Sequence, residues 1–159
     1  MQKKYALSKI KSLDMTVLTA GMVGGMVEIF WVTIYSNLSS VSATNVAREI
    51  SATLLPFTAN SYYAPMLGIL FHLILSLILA ISFNAIILKP VVRQFGNRSI
   101  ILCCFTTLAI VWAVNFFIVL PIINPSFISL MPYVVTLISK LLFGLAMAWV
   151  LIQKDEFLF

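Results

Sequence analysis

Residues 66–88 read MLGILFHLILSLILAISFNAIIL, a run that contains no Asp, Glu, Lys or Arg. An α-helix rises about 1.5 Å per residue, so a run of this length crosses the roughly 30 Å hydrocarbon core of a bilayer. Because lipid offers no hydrogen-bond partner to an open backbone, the run is predicted to be a transmembrane α-helix.

Three further apolar runs of similar length accompany this one, at residues 16–35, 101–120 and 130–152. Of the 159 residues, 62% are hydrophobic and only 9% are charged, and the mean hydropathy is +1.08. A soluble domain carries about 25% charged residues because its surface faces water. The composition therefore excludes a soluble enzyme, a nucleic-acid-binding domain and a disordered chain. It predicts an all-α integral membrane protein in which residues 1–159 form a single domain, an antiparallel bundle of four transmembrane helices.

Basic residues are distributed very unevenly between the two sides of the predicted bundle, and such a bias sets the orientation of short connections. One side carries only Arg48. The other side carries Lys3, Lys4, Lys9, Lys11, Lys89, Arg93, Arg98 and Lys154. This distribution predicts cytoplasmic termini, with residues 1–14 as a basic N-terminal segment and residues 153–159 as a tail. The net charge of +5 is then a topology signal rather than a sign of nucleic-acid binding, and the short connections favour a bacterial inner membrane.

The first apolar run has an alternative interpretation as a cleavable signal peptide. Basic residues precede it, and the small residues Val41, Ser42 and Ala43 follow it. The apolar stretch of a signal peptide is usually about 7–15 residues long, whereas this run is longer and contains Glu28. We therefore expect it to remain as the first transmembrane helix.

The longest predicted connection, residues 36–65 on the outer side, is expected to contain a short amphipathic helix at about residues 43–55. Within it, Val46, Ile50 and Leu54 recur every fourth residue and share one helical face. Such a helix is expected to lie on the outer membrane surface or over the end of the bundle.

Proline and glycine mark the predicted turns in the other two connections. The second connection contains Pro90 and Gly96, and the third contains Pro121, Pro125 and Pro132. We therefore expect the chain to turn at these residues.

Each predicted span contains at least one strongly polar side chain, which is costly in lipid and normally faces the interior of a bundle. Glu28, His72, Asn115 and Lys140 occupy the four spans in order. Counted along each helix from its outer end, all four lie about 8–15 Å into the membrane. The sequence therefore predicts one polar layer, formed by these four residues, in the outer half of the bundle.

Small residues accompany the polar side chains at helical spacing, which indicates the packed face of each helix. The helix-packing residues predicted in this way are Gly21, Gly25, Gly68 and Gly144. Ser76 follows His72 by about one turn, and Trp31 follows Glu28 by three residues. Both Ser76 and Trp31 are therefore candidates for lining the polar layer.

Two interpretations of the polar layer remain open at this point. In the structural one, Lys140 and Glu28 neutralise each other, His72 and Asn115 form hydrogen bonds with this pair, and the network keeps the helices in register. In the functional one, Glu28 and His72 bind protons or cations in a cavity open to the outer side, as intramembrane carboxylates and imidazoles do in pumps and transporters.

Other chemistry is weakly indicated. The chain contains no P-loop, dinucleotide-binding glycine cluster, HExxH motif or Ser-His-Asp set, so no cofactor is implied, and a metal ion is neither indicated nor identified. Cys103 and Cys104 are adjacent near the cytoplasmic end of the third span, where thiols stay reduced. Apolar packing is the favoured role for both, with palmitoylation or metal transfer as alternatives.

These observations favour a non-enzymatic accessory or assembly subunit of a larger membrane complex. Its expected partners are the lipid bilayer and either other membrane protein subunits or further copies of itself. The alternative is a transporter or channel component, acting as an oligomer, that moves protons, a cation or a small solute through the polar layer. An enzyme ranks third, since a single histidine leaves few mechanisms.

Overall fold

A computed structural model of the chain describes the backbone of residues 2–153 and the side chains of residues 15–153. All regular structure in this part of the chain is helical. The α-helices are α1 (Gln2–Leu38), α2 (Ala43–Leu54), α3 (Ala64–Phe83), α4 (Lys89–Phe95), α5 (Ser99–Val114), α6 (Leu120–Ile123), α7 (Pro125–Leu130) and α8 (Tyr133–Gln153). A 3-10 turn covers Pro56–Thr58, and two π-helical turns cover Asn84–Leu88 and Asn115–Val119.

Four continuous helical segments are long and apolar enough to cross a membrane. They are Met15–Leu38, Ala64–Phe95, Ser99–Ile123 and Tyr133–Gln153, and they are called here the first to fourth long segments. The prediction of an all-helical chain with four such helices is confirmed. The amphipathic helix predicted at about residues 43–55 corresponds to α2. The basic side chains of residues 1–14 and the predicted tail from residue 154 onward lie outside the described part.

The expected turns at Pro90 and Pro121 were wrong, because helix continues through both residues. Each proline follows a π-helical turn that begins at an asparagine. In these turns the Lys89 N–H donates to the Asn84 carbonyl and the Leu120 N–H donates to the Asn115 carbonyl, five residues back. Proline removes a backbone donor and clashes with the carbonyl four residues earlier, and a wider turn relieves that clash without ending the helix.

The remaining turn predictions agree better with the structure. Gly96 ends α4 with a φ of 74°, a left-handed conformation that favours glycine. Pro125 begins the short α7, whose N-cap Asn124 accepts a hydrogen bond from the Phe127 N–H. The fourth long helix begins at Tyr133, three residues later than expected, because Met131 is extended and Pro132 precedes the helix.

The long helices pack in a definite order. The first, α1, packs against α3 and α8, and α8 packs in turn against α5. The second and third long segments meet mainly through the 84–88 turn and α4, so the rest of α3 has little contact with α5. The helix α2 packs against the beginning of α3, and the end of the long helices that it contacts is called here the α2 end.

Glycines allow the closest of these approaches. A Cβ on Gly21 would lie 2.8 Å from Ala80 Cβ, and one on Gly25 would lie 2.7 Å from Ser76 Oγ, so both glycines face α3. Gly24, which was not predicted, faces the ring of Phe143 in α8 at 2.8 Å. Three nearly consecutive glycines therefore let α1 approach both of its neighbours.

The other two predicted packing glycines have different neighbours. A Cβ on Gly144 would lie 3.3 Å from the Cys104 carbonyl oxygen, at the contact of α8 with α5. A Cβ on Gly68 would overlap the Ala47 carbonyl oxygen, so Gly68 accommodates α2 rather than another long helix.

The apolar core lies at the opposite end from α2, called here the core end. Its members come from all four long segments and include residues that are fully buried, such as Cys104, Leu108 and Ala148. The complete cluster is Val17, Ala20, Ala80, Phe83, Leu88, Ile100, Cys103, Cys104, Leu108, Phe143, Met147, Ala148, Val150 and Leu151.

Candidate functional site

An ion pair between Glu28 of α1 and Lys140 of α8 lies between the packed helices. Lys140 Nζ is 2.7 Å from Glu28 Oε1 and 2.8 Å from Oε2, so it contacts both carboxylate oxygens. Glu28 is only 8% exposed. Since a buried carboxylate is costly without a partner, the ammonium group of Lys140 is what makes its burial tolerable.

His72 of α3 lies near the same carboxylate. Its Nε2 atom is 3.6 Å from Glu28 Oε2, which is too long for a hydrogen bond. The Nε2 atom is buried, and no side chain or backbone group in the described part of the chain is hydrogen-bonded to it. The expected hydrogen bond from His72 to the ion pair is therefore not formed.

Ser139 of α8 is a fourth member of this cluster, and it is 1% exposed. Its hydroxyl interacts electrostatically with the Glu28 carboxylate but does not meet hydrogen-bond geometry with any described group. The four residues Glu28, His72, Ser139 and Lys140 are called here the polar centre. Sequence reasoning missed Ser139, although its spacing of three residues from Thr136 on a mostly apolar helix indicates a shared polar face.

An open cavity of about 460 Å³ adjoins the polar centre, and all four of its residues line that cavity. The remaining wall is mostly apolar. It is contributed by α1, by α2, by α3 from Pro65 to Leu75, by residues from Asn115 to Ile123 in the third long segment, and by Phe127, Met131 and Thr136. Because α3 and the third long segment barely touch here, the cavity occupies the space between them at the α2 end.

Asn115 lines the cavity together with Glu28, His72 and Lys140, so the four residues of the predicted polar layer share one space. No hydrogen bond joins the Asn115 side chain to the other three among the described contacts, contrary to the structural interpretation. In the backbone, Asn115 is the first residue of the second π-helical turn. Such turns are frequent at functional sites.

Two other predicted lining residues have different roles. Ser76 donates its hydroxyl hydrogen to the His72 carbonyl oxygen at 2.8 Å and packs against Gly25, so it contributes to the contact between α3 and α1. Trp31 donates from its indole N–H to the Val135 carbonyl oxygen at 3.0 Å, and its side chain does not line the cavity. Both side chains therefore stabilise contacts between the helices around the site and do not form its surface.

A tryptophan that was not predicted lies near the cavity instead. Trp112 donates from its indole N–H to Thr136 Oγ1 at 3.0 Å, and Thr136 lines the cavity. Its ring stacks on Phe116, another lining residue, with ring centroids 5.8 Å apart. Sequence gives little signal for this contact, because Trp112 and Thr136 belong to different long segments.

Polar contacts fasten α2 over the cavity. Asn124 donates to Glu49 Oε2 at 2.9 Å and to Thr53 Oγ1 at 2.8 Å, and Ser126 donates to the same Glu49 oxygen at 3.1 Å. On the other side of α2, Arg48 donates to the carbonyl oxygens of residues 59 and 61 at 2.9 and 3.1 Å. The position of α2 is therefore specified by side chains and not by apolar contact alone.

The polar centre offers hydrogen-bonding groups rather than a metal site. Within residues 15–153 there is no group of three or more His, Cys, Asp or Glu side chains arranged to hold a metal ion. Cys103 and Cys104 are free thiols buried in the core end, away from the cavity.

We compared the chain with protein-family models, with curated protein sequences and with solved structures, and none of the three comparisons finds a match.

Proposed function

We propose that this chain is a membrane protein that binds a small solute in the cavity beside the polar centre, as a carrier or a component of one. The observation that carries the proposal is the combination of an open, mostly apolar cavity of about 460 Å³ with lining residues, His72 and Ser139, whose buried polar atoms have no hydrogen-bond partner in the described structure. Small-molecule sites are typically concave, largely apolar and about 300–1,000 Å³ in volume, with a few polar groups that orient the ligand.

The arrangement favours a solute over a cation. Both oxygens of Glu28 contact Lys140 Nζ, so the ammonium group already occupies the position that a bound cation needs. A cation entering the cavity would be repelled by Lys140 at close range. The proton- or cation-handling variants of the transporter hypothesis are therefore less well supported than the small-solute variant.

The proposal includes a placement in the membrane. The four long segments would cross the bilayer as an antiparallel bundle, with both termini on the cytoplasmic side of a bacterial inner membrane and α2 on the outer side. Support comes from the excess of Lys and Arg on one side of the predicted spans. Labelling of intact cells with a membrane-impermeant maleimide tests it: Ser129→Cys is expected to react and Gln94→Cys is not. The reverse pattern would invert the orientation.

Solute binding is tested with a pair of adjacent residues in α3. Ile69 lines the cavity, whereas Leu70 does not, and the two are similarly exposed at 43% and 51%. Ile69→Trp is expected to fill the space, and Leu70→Trp is the matched control that adds the same bulk elsewhere. The protein is purified in mild detergent, and the small molecules extracted from it are quantified by mass spectrometry.

Wild type and Leu70→Trp are expected to retain a small molecule in near-stoichiometric amount, and Ile69→Trp is expected to lose it. Equal contents in all three preparations would refute solute binding in this cavity. Crosslinking before purification tests whether the chain is an accessory subunit. That role and self-association both stay predictions.

A further inference from the structure

We infer that the ligand of the cavity is an uncharged amphiphile, with one hydroxyl group directed at the polar centre and an apolar chain between α3 and the third long segment. This inference rests on the proposed function and adds the chemical class of the solute. It is carried by the charges, the unpartnered polar atoms and the apolar wall of the cavity.

The charges of the polar centre cancel. Glu28 contributes −1 and Lys140 contributes +1, and their contact through both carboxylate oxygens leaves no net charge to attract an ion. A ligand with a charged head would bring an uncompensated charge into a largely apolar space, which is costly. The polar centre therefore suits an uncharged head group.

The hydrogen-bonding atoms of the polar centre call for a group that both donates and accepts. His72 Nε2 and Ser139 Oγ are both buried, and neither has a hydrogen-bond partner in the described structure. Buried polar atoms are nearly always hydrogen-bonded, to protein, to water or to a ligand. Both atoms belong to residues that line the cavity, so a small rotation of either side chain would bring its polar atom to a bound ligand. A hydroxyl group there satisfies a neutral imidazole nitrogen in either tautomer and complements the serine hydroxyl as well.

The rest of the wall suits an alkyl chain. Ile69 and Leu75 of α3, Val119 and Ile123 of the third long segment, and Ile50 of α2 are among its apolar lining residues. An alkyl chain carries no polar group that this apolar wall would leave without a hydrogen-bond partner. Because this space opens between two segments predicted to span the bilayer, a molecule dissolved in lipid can reach it sideways.

The inference is tested with four probes of equal chain length: 1-decanol, decanoic acid, decylamine and decane. The purified full chain is reconstituted in phosphatidylcholine nanodiscs, and the Tm of the protein is measured against probe concentration, because a ligand that binds only the folded state raises the Tm. Decanol is expected to give a saturable increase in Tm and the tightest apparent Kd. Decane, the acid and the amine are each expected to bind about tenfold more weakly, the equivalent of one hydrogen bond or more.

Three variants separate binding in the cavity from general effects on the bilayer. Ile69→Trp is expected to abolish the decanol response, and Leu70→Trp is expected to retain it. His72→Phe keeps a ring of similar size but removes the nitrogen atoms, so it is expected to reduce the preference for decanol over decane by about tenfold while leaving decane binding unchanged. A His72→Phe variant that fails to fold is replaced by Ser139→Ala, for which the same loss of preference is expected.

The possible outcomes distinguish this inference from the proposed function. If the acid or the amine binds more tightly than decanol, or if all four probes bind equally, the hydroxyl assignment is refuted, although a co-purifying solute would still support binding in the cavity. If no probe binds and a solute nevertheless co-purifies, the amphiphile class is wrong and the proposed function stands. If no probe binds and no solute co-purifies, both are refuted.

Discussion

The core end and the α2 end are built from the same four long segments but are packed in different ways. At the core end, apolar side chains from all four segments fill the interior, and several are completely buried. At the α2 end, the second and third long segments separate and leave a cavity of about 460 Å³ that is only partly covered by α2. The polar centre lies between the filled interior of the core end and the open cavity of the α2 end.

The difference shows that hydrophobicity does not decide packing in this chain. The second and third long segments are both strongly apolar, yet they approach each other mainly at the core end. In the bilayer in which we propose that these segments lie, apolar side chains gain little by leaving the surrounding lipid, so close packing depends on small residues and polar contacts. The first and fourth helices have both, through Gly24 and the Glu28–Lys140 pair. The open side of the α2 end has neither.

The largest expected effect is a loss of stability at the polar centre, which lies between the core end and the α2 end. Lys140→Met removes the partner of a buried carboxylate and is expected to lower the free energy of unfolding by about 3–5 kcal/mol. The measurement is reversible unfolding in bicelles, with wild type as reference. Glu28→Gln combined with Lys140→Met removes both charges and is expected to recover much of the loss. A double variant no more stable than the single one would mean that the pair is not coupled.

The next largest expected effect is the displacement of α2, which partly covers the cavity at the α2 end. Gly68→Ala places a methyl group where the Ala47 carbonyl oxygen lies, so α2 has to move away, at an expected cost of about 3 kcal/mol. Hydrogen exchange is expected to speed up in α2 and to stay unchanged in the core end. Gly144→Ala is the matched control, because its new methyl group would lie 3.3 Å from the Cys104 carbonyl oxygen, which requires only a small shift and lies away from α2. Unchanged exchange in α2 of Gly68→Ala would contradict the close approach.

A comparison of two truncations sharpens the contrast in packing. Leu108→Ala opens a void in the core end, where Leu108 is 0% exposed, and is expected to cost about 2 kcal/mol. Val119→Ala only enlarges an existing cavity and is expected to cost roughly 0.5 kcal/mol or less. Unfolding free energies of the two variants in the same bicelles check this order. Equal losses would show that the α2 end is as tightly packed as the core end.

The smallest expected effect concerns the attachment of α2. Asn124→Ala removes the donor shared by Glu49 and Thr53 and is expected to cost about 1 kcal/mol. Protease cleavage within residues 36–65 should become faster. Ser129→Ala, which loses only an exposed hydrogen bond to the Ser126 carbonyl, is expected to behave like wild type. Identical cleavage rates for Asn124→Ala and wild type would mean that these contacts do not hold α2 in place.

Much of the helical structure was predictable because it depends on local pattern and length. The sequence shows the apolar runs, the apolar residues at every fourth position of α2, and Gly96 at the end of a helix. The prolines misled the prediction, since Pro90 and Pro121 normally end helices. Their accommodation depends on the wider turns that begin at Asn84 and Asn115, a backbone adjustment with no simple sequence signature.

For the site, the sequence supplied the unusual residues, and their depths along each helix placed them at one level. Which of them touch was a tertiary matter. The side of each helix that contacts its neighbours depends on where the glycines of α1 meet α3 and α8. The helical period of 3.6 residues does not determine how a long helix is rotated about its own axis relative to its neighbours.

By itself, then, the amino-acid sequence determined how many long apolar helices form and which rare polar side chains they contain, because both follow from composition and spacing along one chain. Only the tertiary structure decided that Lys140 contacts both oxygens of Glu28, that His72 Nε2 and Ser139 Oγ have no hydrogen-bond partner in the described structure, and that the space beside them stays open. These features depend on distances between segments far apart in sequence, and such distances are set by the packing of whole helices.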